Sequence, residues 1–291
     1  MGNDLKPILL TGASGYLGRY VFDCLQKKGL QVIPVSFHGN VGIACDLTNP
    51  HDVEKLLKRF NPSSIIHCAA VVPKNKIEYD DTSMAIKNVK MIENLVDNAL
   101  CNIIFTSSMT VYENVIHFPV SEDDIQPYQI PKTEYAHGKW MAEQILLSRQ
   151  FPGDLAFRFP GLFGLPRRSG LIYNATKAFL TGESFLIESP PPIWAAMMVQ
   201  DAAEFLVRAV QGPSLLQSQA INAGYHGEFT VHSVVQKIAN ICGVGWKGQP
   251  LSERPFSMSL ARFESRYGQV KVSFSQRLEQ FIYSVKADLG I

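Results

Sequence analysis

Tyr135 stands four residues before Lys139 in the run Thr133-Glu134-Tyr135-Ala136-His137-Gly138-Lys139-Trp140. On a helix that spacing brings a phenol and an ammonium to one face, a turn apart. The fixed positive charge would favour phenolate and draw the tyrosine pKa towards the working pH, where the group can give or take a proton. The same spacing also fits a half-buried aromatic beside a solvated lysine, so the pair needs support from elsewhere. A second chemical signal lies near the start of the chain. Gly12, Gly15 and Gly18 follow the apolar run 8–10, and Leu17, Val21, Phe22 and Leu25 then recur at helical spacing up to Gly29. Strand, glycine turn and helix are the setting in which backbone N–H groups at a helix N-terminus approach a pyrophosphate. The first gap is one residue longer than in G-x-G-x-x-G, and a plain β–α turn is the competing reading.

Both signals need a scaffold, and the pattern of the first half supplies one. Apolar strand-like runs at 30–36, 43–48, 64–70 and 102–108 alternate with helical spacing at 52–60 and 83–98. Such alternation predicts a parallel sheet with helices on both faces, which binds ligands at the carboxyl ends of its strands. Gly12, Ala69, Ser108 and the Tyr135 helix all fall on that edge. Ala69 and Ala70 are small enough to let a cofactor lie against the backbone. His67 reads as a core histidine, and Asp46 as either an acceptor for an adenine amino group or a helix cap. The second strand ends in Ser36, Phe37 and His38, without the acid that usually holds the 2′-hydroxyl of NAD. That absence, with Arg19 just past the glycine turn, favours the 2′-phosphate of NADP; Arg19 as a surface residue and His38 as a loop residue are the alternatives.

The 291 residues suit one large α/β domain, or one domain with a smaller lobe. Lys+Arg 27 against Asp+Glu 26 gives a formal charge of +1, so no general field invites nucleic acid or an anionic membrane. No window is apolar enough to span a bilayer and the N-terminus lacks a signal-peptide pattern, which leads us to expect a soluble, cytoplasmic chain. Five scattered cysteines without ligand spacing read as reduced thiols, not as a metal site.

Taken together the motifs resemble the extended short-chain dehydrogenase/reductases, or NAD-dependent epimerase/dehydratase family. The resemblance rests on Thr11-Gly12-x-x-Gly15-x-x-Gly18, Asp46-Leu47, His67-Cys68-Ala69-Ala70, Asn88, Ser107-Ser108-Met109-Thr110-Val111-Tyr112 and Tyr135-x-x-x-Lys139. It continues through Arg158-Phe159-Pro160-Gly161-Leu162-Phe163-Gly164, Val199-Gln200-Asp201 and Arg254-Pro255. It implies a Rossmann-like doubly wound parallel sheet formed by residues 1–160 with parts of 195–225, and a smaller substrate lobe of 161–194 and 226–291. It further implies a catalytic triad in which Ser108 holds the substrate oxygen, Tyr135 moves the proton, and Lys139 lowers the tyrosine pKa and holds the nicotinamide ribose. Ser14, Tyr16 and Leu17 would join the glycines and Arg19 at the coenzyme. Ser36, His38, Asp46, Leu47, Ala69, Ala70 and Asn88 would continue that site, with Phe159, Pro160 and Leu162 at its far end.

Departures from the family narrow the reaction. Ser108-Met109-Thr110 stands where sugar dehydratases carry Thr-Asp-Glu, which argues against dehydration. Gly161 stands where 4-epimerases often carry Asn, and the acid after the second strand is missing. The expectation is therefore an NADP-preferring reductase of a nucleotide-linked 4-keto-6-deoxy sugar, with an NAD-dependent epimerase as one alternative and a non-catalytic regulatory subunit as another. Val72, Ser108, Arg167, Asn174 and Arg254 are the candidate substrate contacts; Arg168 and Lys177 are further cations able to meet a diphosphate. In the second half, helices are expected at 171–180, 202–210, 231–241 and 274–285, a strand at 184–187, and a packing role for Trp194. A homodimer through the helices of Asn88 and Tyr135 is the expected assembly.

Overall fold

The computed structural model describes residues 6–125, 130–187, 191–212, 216–248 and 253–291. The first half runs β1 (Ile8–Thr11), α1 (Tyr16–Lys27), β2 (Val32–Ser36), β3 (Ile43–Ala44), α2 (Pro50–Phe60), β4 (Ser64–His67), α3 (Thr82–Asn98), β5 (Asn102–Ser108) and α4 (Glu134–Ser148). The second half runs β6 (Leu155–Phe159), β7 (Gly161–Phe163), α5 (Leu171–Thr181), β8 (Ala196–Met198), α6 (Val199–Gln211) and β9 (Gln219–Asn222), then α7 (Val231–Ile241), α8 (Ala261–Tyr267) and α9 (Phe274–Leu289). The main sheet has seven parallel strands in the order β3-β2-β1-β4-β5-β6-β9. Strand order reverses between β1 and β4, the place where sheets of this kind open a crevice beyond the strand ends. β7 and β8 pair separately.

The buried strands read as near-continuous apolar runs because helices cover both faces. Alternate residues divide between them. Leu9, Ile65, Ile103 and Phe105 pack with Val53, Leu56 and Leu57 of α2, Met91, Ile92 and Leu95 of α3, and Ala142 and Leu146 of α4. Ile8, Leu10, Ile66 and Ile104 face Val21 and Leu25 of α1 and Phe205 and Leu206 of α6. This second cluster continues without a break into α5, α7, α8 and α9, so the coenzyme half and the C-terminal elements share one core.

Two expected strands are corrected. The run 43–48 pairs only at Ile43–Ala44, because Asp46 Oδ1 accepts from the Thr48 N–H at 2.9 Å and the Thr48 hydroxyl at 2.7 Å, folding the chain into a turn. Asn49, not Asp46, caps α2 by accepting from the His51 N–H at 3.0 Å. Residues 184–187 form no strand; a side chain holds them, with Trp246 Nε1 donating to the Phe185 carbonyl at 2.9 Å. Trp194 is partly buried against the core, as expected, and of the proline run only residue 190 lies outside the described residues.

Candidate functional site

The crevice is shaped by three glycines. Gly12 has φ +70°, and a Cβ there would lie 2.5 Å from the Ala69 nitrogen, so the turn after β1 rests directly on the end of β4. A Cβ on Gly18 would lie 2.0 Å from the Gly12 carbonyl oxygen, which fixes how closely α1 approaches the strand. The Gly15 N–H donates to the Gly12 carbonyl at 2.9 Å and closes the turn. α1 begins at Gly15 with no side-chain cap and no acid in its first turn, leaving its N-terminal N–H groups directed into the crevice. This cradle fits the pyrophosphate of a dinucleotide. Leu17 packs into the core, while exposed Arg19 folds back so that Nη2 donates to the Ser14 carbonyl at 3.3 Å.

Other expected coenzyme contacts divide into those at the crevice and those that shape it. Ser36 is buried and spent on its own loop: its hydroxyl lies 2.9 Å from the Val41 carbonyl and accepts from the Val41 N–H at 3.3 Å. Exposed His38 packs edge-on against Phe37, with ring centroids 4.7 Å apart. Leu47 is buried and its carbonyl accepts from Asn94 Nδ2 at 2.8 Å. Asn88 brackets the Val71 backbone, Oδ1 accepting from the N–H at 2.7 Å and Nδ2 donating to the carbonyl at 2.9 Å. It thus holds the chain just beyond Ala69 and Ala70, both of which are partly open to the crevice. Phe159 is the register partner of Ser108, and with buried Pro160 and half-buried Leu162 it walls the same edge.

Tyr135 and Lys139 rise from α4 as expected, but their electrostatics differ from the expectation. Lys139 is 3% exposed, and its Nζ donates to the Thr106 carbonyl at 2.8 Å and sits 4.7 Å from the Phe105 ring centroid. Burial pulls its pKa down to about 8, with Cys68 and Glu143 opposing. Burial likewise pushes the Tyr135 phenol well above its ordinary range, with Tyr79 adding to the rise. Lys139 is directed towards β5 in this structure, and the shift on Tyr135 comes from burial and Tyr79. Beside the lysine, His67 is buried and neutral: burial, then Lys139, holds its pKa down at about 3, and Nδ1 is 2.7 Å from the Thr11 hydroxyl. Burial pushes Cys68 up to about 12, a thiol and not a thiolate. Ser108 Oγ accepts from the Thr110 N–H at 3.2 Å and lies 3.0 Å from the Thr110 hydroxyl.

A buried polar frame carries this edge. Glu143, one turn after Lys139, takes Arg158 Nη2 at 2.7 Å and Nε at 3.1 Å, and also accepts from the Ser107 hydroxyl. Arg158 Nη1 donates to the Tyr112 hydroxyl at 2.9 Å, and Tyr112 donates to Asn222 Oδ1 at 2.5 Å. Glu122 accepts from the Asn222 N–H at 2.7 Å. At the helix start Glu113 accepts from the Thr133 hydroxyl at 2.9 Å and the Thr133 N–H at 3.2 Å, fixing the turn that presents Tyr135. Glu113 and Glu143 were not singled out from sequence; an isolated Glu in a loop and another on a helix carry no spacing signal. Asp201 of the Val199-Gln200-Asp201 motif is structural: it takes both Arg277 Nε and Nη2 at 2.7 Å and accepts from Tyr225, tying α9 to α6.

The substrate candidates are more dispersed. Tyr16 donates to the Gly164 carbonyl at 2.7 Å and Tyr20 to that of Leu165, so α1 grips the segment leading to Arg167. Exposed Arg167 stands 5.7 Å from the Tyr16 ring centroid. Arg168 turns away to Asp288 at 2.6 Å, so its expected part in a diphosphate site is corrected. Asn174, Lys177 and Arg254 are exposed, and Val72 is 52% exposed beyond the Asn88 contact. Lys139 reaches the Thr106 carbonyl of β5, the strand that ends in Ser108, and β5 adjoins β4, on whose end Gly12 rests; none of these contacts involves Asn174 or Arg254. Among the described residues no group of three His, Cys, Asp or Glu could hold a metal ion, and no helix is long and apolar enough to cross a membrane.

A dinucleotide crevice at the strand-order reversal, with Tyr135 and Lys139 on the helix packed against β5, is the layout of short-chain dehydrogenase-type proteins. The likeness reaches a named family: residues 8–224 match the NAD dependent epimerase/dehydratase family, and the chain belongs to it. GDP-L-fucose synthase of Azorhizobium caulinodans is 26% identical over 84% of this chain and 82% of that protein. Methionine adenosyltransferase 2 subunit beta of Rattus norvegicus is 28% identical over 55% of this chain and 48% of its own length. UDP-glucose 4-epimerase of Thermotoga maritima, solved with UDP-glucose, superposes with a TM-score of 0.79 over 97% of this chain and 99% of that one, at 20% identity.

Proposed function

We propose that the chain is an NADP-preferring reductase that delivers a hydride to the 4-keto carbon of a nucleotide-linked 6-deoxy sugar. What supports this reading is the placement of Ser108 at the end of β5, of Lys139 on the Thr106 carbonyl of that strand, and of Gly12 on the end of the adjoining β4. The missing acid after β2, where Ser36 is turned inward, supports NADP over NAD. A relative whose product is a GDP-linked 6-deoxy sugar, GDP-L-fucose synthase, supports the substrate class.

When bound, the nicotinamide supplies the hydride. The crevice N–H groups of α1 hold the pyrophosphate. Ser108 donates a hydrogen bond to the keto oxygen, and Tyr135 passes its hydroxyl proton to that oxygen as negative charge develops. Lys139 is one turn from Tyr135, and turning its ammonium from the Thr106 carbonyl towards the coenzyme ribose would bring its charge to the phenol. Half-buried Tyr135 has no hydrogen-bond partner for its hydroxyl among the described residues, which leaves that atom available to substrate.

Tyr135→Phe should lower NADPH consumption with a 4-keto-6-deoxy nucleotide sugar by roughly 100-fold or more, while the thermal shift produced by NADPH stays. Unchanged turnover would remove Tyr135 from the mechanism. The relationship to methionine adenosyltransferase 2 subunit beta favours a second reading, a coenzyme-binding subunit without catalysis. That reading requires the NADPH shift with no turnover in the wild type. NAD released from the denatured purified protein would point instead to an epimerase.

A further inference from the structure

Tyr79 belongs to no motif of the chain, yet the segment carrying it is tightly built. Glu78 accepts from the Lys74 N–H at 2.8 Å and from Asn75 Nδ2 at 2.9 Å. Asn75 Oδ1 in turn accepts from the Ile77 and Glu78 N–H groups at 3.0 and 3.1 Å, and Asp81 caps α3 through the Ser83 N–H at 2.8 Å. These local bonds fold residues 77–80 into a single 3₁₀ turn and set the direction of the Tyr79 side chain. Its ring meets that of Tyr135 edge to face, with centroids 5.6 Å apart and an interplanar angle of 78°. The ring is half-buried, and its hydroxyl has no hydrogen-bond partner among the described residues. Burial raises the phenol pKa, with the Arg167 charge lowering it and the Glu113 charge raising it. Arg167 is the same cation that leans over Tyr16 of the coenzyme turn.

An aromatic ring packed edge to face on that of the acid–base tyrosine, with the Arg167 charge within electrostatic reach, has the parts that a sugar diphosphate requires. A pyranose offers an apolar C–H face for the ring and a phosphate for the guanidinium. We infer that Tyr79 is a substrate-contact residue whose ring packs against the sugar of a nucleoside-diphosphate sugar, while Arg167 takes its phosphate. The inference rests on the nucleotide-sugar reading above and assigns a residue to the sugar itself. Packing against a fixed aromatic costs little conformational entropy, and loss of such a contact weakens binding by roughly tenfold.

The test is calorimetric binding to the full chain, saturated with NADP, of GDP-L-fucose and UDP-glucose, each compared with free GDP and UDP. Tyr79→Ala should weaken the nucleotide sugar that the wild type binds by roughly tenfold and leave the free diphosphate within about twofold. Tyr79→Phe, which keeps the ring, should bind as the wild type does. Should the alanine variant not fold, Tyr79→Leu removes the ring while retaining bulk. Equal weakening of sugar and free diphosphate, or no weakening at all, would overturn the inference, because the ring would then be support for the loop or a bystander. Equal losses in Tyr79→Phe and Tyr79→Ala would assign the effect to the hydroxyl and also overturn it. If the wild type binds neither nucleotide sugar, the functional reading itself falls and the role of Tyr79 with it.

Discussion

The coenzyme edge and the substrate mouth are neighbours in space and opposites in construction. At the edge, backbone touches backbone: Gly12 lies against Ala69 and Gly18 against Gly12, at separations that admit no Cβ. Lys139 there is 3% exposed and bound to a strand carbonyl. At the mouth, Val72 and Arg167 project from loops into solvent, next to short bridges such as Asn88 to Val71 and Tyr16 to Gly164. The contrast follows from what each must hold. A dinucleotide presents the same phosphates and rings in every member of such a fold, so its site can be set in buried frame. A substrate varies, and its contacts lie where a side chain can change without disturbing the core.

The contrast is broken most severely by cutting the frame. Glu143 is fully buried against Arg158, so Glu143→Ala would leave a guanidinium in the interior with the Tyr112 hydroxyl and the Glu122 carbonyl as its remaining partners. Loss of one member of such a pair costs about 3–5 kcal/mol, which lowers the melting temperature by roughly ten degrees in a chain of this size. Scanning calorimetry checks it. A change of a degree or two would mean that water reaches Arg158 and that the edge is less rigid than drawn.

A smaller effect distinguishes the buried cation from the exposed ones by pH. The folded pKa of Lys139 is pulled down to about 8 from an ordinary 10.5. Below about 8 both folded and unfolded chains carry the proton, and the full penalty of burying the charge is present. Between about 8 and 10.5 the unfolded chain binds more protons than the folded one, so stability rises with pH through that window. Wild-type stability relative to Lys139→Met, from urea unfolding, should therefore climb by a few kcal/mol across the window and then level. A flat difference would show that the folded state solvates the ammonium, and with it that the edge is open to water.

Sequence made this edge readable because its requirements are requirements on residue type. Only glycine fits at positions 12 and 18, and a period-two or helical recurrence of apolar residues reveals which face each strand or helix buries. The lysine's target was not readable: helical spacing placed it near Tyr135, whereas Nζ reaches the Thr106 carbonyl of β5. The strand expected at 43–48 failed because one side-chain turn, Asp46 with Thr48, outweighed the apolar pattern. The loops 72–79 and 113–119 read as pocket loops, but the roles of Tyr79 and Glu113 within them were not readable, since their partners lie far along the chain, 56 positions on for Tyr79 to Tyr135 and 20 for Glu113 to Thr133. Nothing local marks either one.

Arg167 and Arg168 sharpen the contrast within two consecutive residues. Arg168 is spent on Asp288, a pair whose arginine side chain is 62% exposed. Exposed ion pairs contribute about 0–1 kcal/mol, so Arg168→Ala should leave the melting temperature nearly unchanged and nucleotide binding untouched. Arg167 leans over Tyr16, its charge lowers the Tyr79 phenol pKa, and among the described residues its side chain donates from Nε to Ser169 Oγ at 3.2 Å. Arg167→Ala should also leave stability within about 0.5 kcal/mol, yet weaken GDP or UDP binding to the NADP-saturated protein by roughly tenfold, since a phosphate would lose its cation. Equal binding by the two variants would mean that position along the chain, not the grip of Tyr16 and Tyr20 on residues 164 and 165, had suggested the site; unequal binding would show that α1 delivers one arginine to the mouth and releases the next to the surface.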